Sequence, residues 1–95
     1  MLFAIFCIDK PGTEATRKEN MAKHVEYLGT NPIKVVISGP LMSDDGQKIV
    51  GSLFIVDAKD RSEVERFQRN DPLVHADIWQ TVEVRAFNKR LDNRD

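Results

Sequence analysis

The chain of 95 residues carries 14 Lys and Arg against 15 Asp and Glu, a formal net charge of −1, with 41% hydrophobic, 31% charged and 7% aromatic residues. This length sets one domain as the expectation, and the apolar fraction excludes a disordered chain. No long block of one charge sign appears, which excludes the electrostatic footprint of a nucleic-acid or membrane-surface binder and leaves a small molecule as the expected partner.

Residues 2–8 form a continuous apolar run, Leu2-Phe3-Ala4-Ile5-Phe6-Cys7-Ile8, stopped by Asp9-Lys10-Pro11-Gly12. Its length and hard stop predict a buried strand. The run lacks a basic leader and is too short to cross a bilayer, so the protein is expected to be soluble and cytoplasmic. Cys7 is the single cysteine and cannot form an intramolecular disulfide; within an apolar run it reads as a small buried hydrophobe. A polar, helix-permissive stretch follows over residues 13–28, with Thr13 as N-cap and Gly29 just past the C-terminus. Asn31-Pro32 bars continuation.

Residues 34–37 predict a short strand entering Ser38-Gly39-Pro40, and Asp44-Asp45-Gly46 is a turn signal. The second long apolar run, residues 49–56, predicts another buried strand. Residues 60–70 predict a second helix, capped by Asp60 or Ser62 and ended by Asp71-Pro72. Residues 76–87 alternate, with Ile78, Val82, Val84 and Ala86 on one side and Asp77, Glu83 and Arg85 on the other. The domain is expected over residues 1–88, with a polar, frayed tail over 89–95.

The order βαββαβ points to an α+β fold, a ferredoxin-like sandwich with an antiparallel sheet and two helices on one face. In that topology the first and third strands are central, and they are the two continuously apolar runs; the fourth alternates as an edge strand does. Two helices cover one face of the sheet only. A domain this small buries only about 60–65% of the surface its unfolded chain exposes, so a second copy of the sheet is the expected cover and a homodimer the expected assembly.

Projected at 100° per residue, the first helix puts Arg17, Met21, His24, Val25 and Leu28 on one stripe. His24 sits at its apolar edge, facing the sheet. The plainer reading is a satisfied core histidine. On the second helix Val64, Phe67 and Gln68 share a face, and the same count brings Asp71 onto it at the helix C-terminus, where the dipole disfavours a carboxylate. Asp before Pro is common turn chemistry. The sharper reading is that a donor holds Asp71 there, and His24 faces the same side. His75 reads as an exposed loop histidine, Ser38-Gly39-Pro40 as a turn or a close backbone approach to a ligand, and Trp79 and Phe87 as packing or interface residues. No HxH or HxxxH spacing, GxGxxG, phosphate loop or GxSxG elbow is present, so no metal site or nucleotide site is expected.

These residues resemble the YciI-like (YCII-related) domain family over Leu2 to Phe87. The resemblance rests on Arg17 followed by His24-Val25-Glu26-Tyr27-Leu28, on Ser38-Gly39-Pro40-Leu41, on Gly51-Ser52-Leu53-Phe54-Ile55-Val56, on Asp71-Pro72-Leu73 and on the closing Val82-Glu83-Val84-Arg85-Ala86-Phe87. It implies a ferredoxin-like domain pairing into a dimeric α+β barrel. It also implies a His–Asp pair in a pocket between helices and sheet, matched here by His24 and Asp71, and chemistry of the proton-transfer, elimination or isomerisation kind without a metal or organic cofactor. Arg17, Ser38, Gly39, Pro40 and Ser52 lie in the motifs that carry the resemblance and are expected to bind substrate. Two departures stand out: Leu73 replaces the usual aromatic residue after Asp-Pro, and Asn31-Pro32 replaces a glycine-rich turn. Both are expected to reshape the pocket mouth.

Two functions compete. One is a small cofactor-free enzyme in which His24 is a general base oriented by Asp71 and Arg17 holds an anionic group of a small, cyclic or anionic metabolite; elimination, isomerisation and hydrolysis all fit. The other is a non-catalytic ligand-binding or dimerising accessory domain that uses the same pair to fix helix packing. An acid at a helix C-terminus facing a histidine is poor design for stability alone, which favours the enzyme.

Overall fold

The computed structural model describes residues 1–31 and 33–94; Pro32, expected to bar helix continuation, and Asp95 of the tail lie outside them. The chain runs β1 (Leu2–Asp9), α1 (Glu14–Thr30), β2 (Lys34–Met42), β3 (Ile49–Asp57), α2 (Arg61–Arg69), α3 (Pro72–His75) and β4 (Trp79–Phe87). The strands form one antiparallel sheet in the order β2-β3-β1-β4. The two continuously apolar runs are therefore central and the alternating strand is an edge, the ferredoxin-like arrangement.

Strand register sorts the residues by face, because directly opposed residues point the same way. Phe3, Ile5 and Cys7 oppose Val56, Phe54 and Ser52 on β3, and Ile5 opposes Val84 on β4. All seven are buried and, with Val64, Phe67 and Leu73 from the helices, line the helix-side core. Each fully buried apolar side chain contributes about 1.5–3 kcal/mol. The other face carries Leu2, Ala4 and Phe6 opposite Phe87, Ile55 and Leu53, with Ile37 beyond. Phe6, Ile37 and Phe87 are more than a third exposed there.

Several local expectations are corrected. Gly29 does not end α1; the helix runs one residue past it to Thr30. Asn31 closes it instead, its Nδ2 donating to the carbonyls of Tyr27 and Leu28 while its Oδ1 accepts from Ile33 N–H. Thr13 occupies the N-cap but its hydroxyl donates to Lys10 O and leaves the helix amides alone. Asp60 caps α2 by accepting from Glu63 N–H at 3.1 Å, and Ser62 lies inside the helix. Ser38-Gly39-Pro40 is no strand exit but the middle of β2. An edge strand tolerates Pro40, whose missing N–H costs no ladder bond on its open side. The stretch before β4 is partly helical: α3 occupies Pro72–His75, giving three helices where two were expected, and β4 starts at Trp79 rather than 76.

Gly51 opposes Ile8 at the centre of the sheet, and a Cβ there would overlap the Cys7 carbonyl oxygen and crowd Leu41 Cδ1. Gly51→Ala is expected to destabilise by about 1–3 kcal/mol or more, read as a lower urea midpoint with unchanged slope. Cys7 lies beneath the helices, and burial, reinforced by the charges of Asp71 and Asp9, pushes its thiol up to about 12. A thiol reagent at neutral pH should label it only as fast as the chain unfolds. The raised value also makes the folded state bind this proton more tightly than the unfolded chain does. Its contribution is complete below the ordinary 9.0 and is lost as pH rises towards about 12.

Candidate active site

His24 projects from the third turn of α1 towards the sheet and is 6% exposed; Asp71, between α2 and α3, is 1% exposed. Their side chains meet, His24 Nδ1 to Asp71 Oδ1, at 2.8 Å. The same Oδ1 accepts from Leu73 N–H at 2.9 Å. An ionised carboxylate can only accept, so the bond assigns the hydrogen of a neutral imidazole to Nδ1 and leaves a lone pair on Nε2. The ring is further held edge-on against Phe54, centroids 5.8 Å apart. Among the described residues Trp79 Nε1 alone is a fully buried side-chain nitrogen or oxygen without a partner. His24 Nε2 also lacks a protein partner but is not fully buried, and His24 lines the cavity beside it.

The placement of Asp71 corrects the helix-dipole argument. Asn70 ends α2, and Asp71 is the N-cap of α3, where its acceptor meets an unsatisfied amide. That is a favourable seat for a carboxylate. Leu73 is fully buried in the core and is not among the residues that line the cavity. His75 is exposed at the end of α3, and its backbone N–H donates to the Asp71 carbonyl at 3.2 Å.

The cavity has a volume of about 220 Å³ between α1 and the β2 edge of the sheet. His24, Arg17, Ser38, Gly39, Pro40 and Ser52 all line it, so six of the seven expected site residues come together there while Asp71 stands behind His24. Ser38 and Pro40 reach it because β2 carries a bulge: Val35 opposes Val56 but Ile37 opposes Ile55, leaving Val36 as an extra residue. The bulge inverts the alternation, so that Ser38 and Pro40, opposite Phe54 and Ser52, turn to the helix side. Val25, expected on the inward stripe, is 60% exposed.

Arg17 is 4% exposed and spends most of its donors inside the fold. Its Nε and Nη2 donate to Asp9 Oδ2 and Oδ1, both at 2.8 Å, and Nη2 donates again to Ser52 Oγ at 2.8 Å. The fork-on-carboxylate geometry neutralises its charge. Asp9 is the site residue that sequence reasoning missed. It ends the apolar run of the first strand, yet it continues the helix-side series Phe3, Ile5, Cys7 at the next alternate position.

The YCII-related domain family model matches residues 1–88. No curated protein matches the chain significantly. Among solved structures, the chain is similar to a 5-chloro-2-hydroxyhydroquinone dehydrochlorinase from Burkholderia phenoliruptrix AC1100, solved in complex with 2,5-dihydroxybenzoquinone. Identity is 32%, the TM-score 0.84, and the match covers 93% of this chain and 94% of that one. A Pseudomonas aeruginosa protein matches at 10% identity and TM-score 0.58 over 95% of this chain and 93% of its own. An Arabidopsis thaliana protein matches at 15% and 0.54 over 98% of both. These last two share the fold alone.

Proposed function

Because the chain belongs to the YCII-related domain family, we propose that it is a small homodimeric enzyme in which His24 is a general base, oriented by Asp71, acting on a small ring-bearing metabolite. The observation that carries this reading is the 2.8 Å His24–Asp71 bond beside a cavity that His24 lines. The similar dehydrochlorinase favours elimination among the proton-transfer reactions.

In such an elimination Nε2 takes a proton from an acidic O–H or C–H of the substrate. The electron pair left behind forms the new double bond, and the leaving group departs with the electrons of its own bond, so that H–X is lost overall. Asp71 stabilises the imidazolium that forms, and release of its proton to water or to the departing group returns the neutral ring. Arg17, its charge balanced by Asp9, supplies a hydrogen-bond donor to a substrate oxygen from Nη1, and Ser38 a second polar contact. A base so positioned contributes about 10²–10⁴-fold.

The test follows chloride release from 5-chloro-2-hydroxyhydroquinone and related chlorinated hydroquinones. His24→Asn should abolish turnover in a protein that still unfolds cooperatively, with its melting temperature lowered by the lost buried pair. Asp71→Asn should lower kcat by roughly 10²–10⁴-fold, because an amide donating to Nδ1 turns the ring to the tautomer with hydrogen on Nε2. Turnover surviving in His24→Asn would overturn His24 as the base, and a wild-type protein that turns over none of these compounds would overturn the reading in favour of a ligand-binding or accessory domain.

The homodimer is supported by the apolar sheet face away from the helices, which carries Phe6, Ile37, Leu53 and Ile55. A sheet-on-sheet pair burying about 800 Å² per partner would cover it. Sedimentation at micromolar concentration should give twice the 10.8 kDa chain mass, and Phe6→Lys the single mass. A monomeric wild-type protein would sink the dimer.

A further inference from the structure

The cavity at His24 opens beside a larger one, of about 560 Å³, whose function the dyad leaves unassigned. The two share Arg17 and Met21. Beyond these, the outer cavity is walled by Glu14 and Lys18 of α1, by Gln47 and Lys48 in the turn before β3, and by Ile49 at its start. Residues 14, 17, 18 and 21 fall on one side of a helix, and 24 and 28 continue that side. The cavities therefore succeed one another along one face of α1, the outer at its N-terminal end and the inner at the dyad.

Volume and charge divide between them. The inner cavity corresponds to about seven waters of liquid volume at about 30 Å³ each, room for one six-membered ring with small substituents. Its one arginine is neutralised by Asp9 through two 2.8 Å bonds, so the inner cavity offers donors but no uncompensated cation. The outer cavity is different. Lys18 and Lys48 make no ion pair among the described residues, and Glu14 alone stands against them.

We propose that the outer cavity is a subsite for an anionic substituent, a carboxylate on the ring or on a short side chain, held by Lys18 and Lys48 while the ring itself reaches His24. The anion-holding part expected of Arg17 thus passes to two lysines that no motif of the sequence singles out. The proposal rests on the small-ring enzyme reading above, and its test is a binding measurement that separates the two.

Calorimetric titration of the intact protein with 2,5-dihydroxybenzoate and with hydroquinone, the same ring without the carboxylate, reads the subsite directly. The carboxylate should bind more tightly by roughly tenfold at low salt. The advantage should shrink towards unity at about 1 M salt, where the screening length is about 3 Å. Lys18→Gln and Lys48→Gln should each remove roughly 2- to 5-fold of it, and the double variant nearly all, with hydroquinone binding unchanged. His24→Asn should keep the full preference; if it also keeps turnover, the base assignment fails while the subsite stands. Equal affinity for the two rings, a preference untouched by the double variant, or no saturable binding of 2,5-dihydroxybenzoate would overturn the subsite.

Discussion

Asp71 Oδ1 accepts two hydrogen bonds at once, from His24 Nδ1 and from Leu73 N–H. Through that one oxygen the middle of α1 is tied to the point where α2 ends and α3 begins. The geometry of the site depends on it. Loss of the amide bond would free α3, a single turn with little stability of its own. Loss of the imidazole bond would free the ring to rotate and exchange tautomers. Each bond holds the carboxylate in place for the other, and Phe54 closes the remaining side of the ring.

A second buried polar group lies beside the first. Arg17, Asp9 and Ser52 connect α1 to the two central strands through three 2.8 Å bonds. For a domain of 95 residues two such constellations in one core are costly, since a buried pair seldom stabilises more than apolar residues of the same shape. Removing one partner of such a pair typically costs about 3–5 kcal/mol. Both border the same cavity, and under the proposed function their cost is offset by holding polar groups in fixed orientation for a ligand. The favourable N-cap seat of Asp71 removes strain at the helix end as an argument for catalysis.

The sheet positions all of this by small departures from regular pairing. The extra residue at Val36 turns Ser38 and Pro40 inward; a regular β2 would have put them on the opposite face. On β4 a similar shift sets Asp9 opposite Trp79, while Ile8 stays opposite Thr81. Trp79 is thereby seated edge-on against Phe54, centroids 6.1 Å apart, and backs the ring that supports His24.

Local pattern determined much of this protein. The continuous apolar runs of β1 and β3, the alternation of β4 and the turn at Asp44-Asp45-Gly46 follow from side-chain period and backbone preference, which act over a few residues. The inward face of His24 follows from helical periodicity in the same way. What those periods leave open is distance between segments far apart in the chain. His24 and Asp71 are 47 positions apart, and Arg17 and Ser52 are 35. Only the packing of α1 over the sheet sets their separations at hydrogen-bonding length. The N-cap role of Asp71, the pairing of Asp9, the bulge at Val36 and the placing of Lys18 and Lys48 on one cavity were decided there too. Each depends on where the chain returns in space, and no period of two or 3.6 residues encodes that.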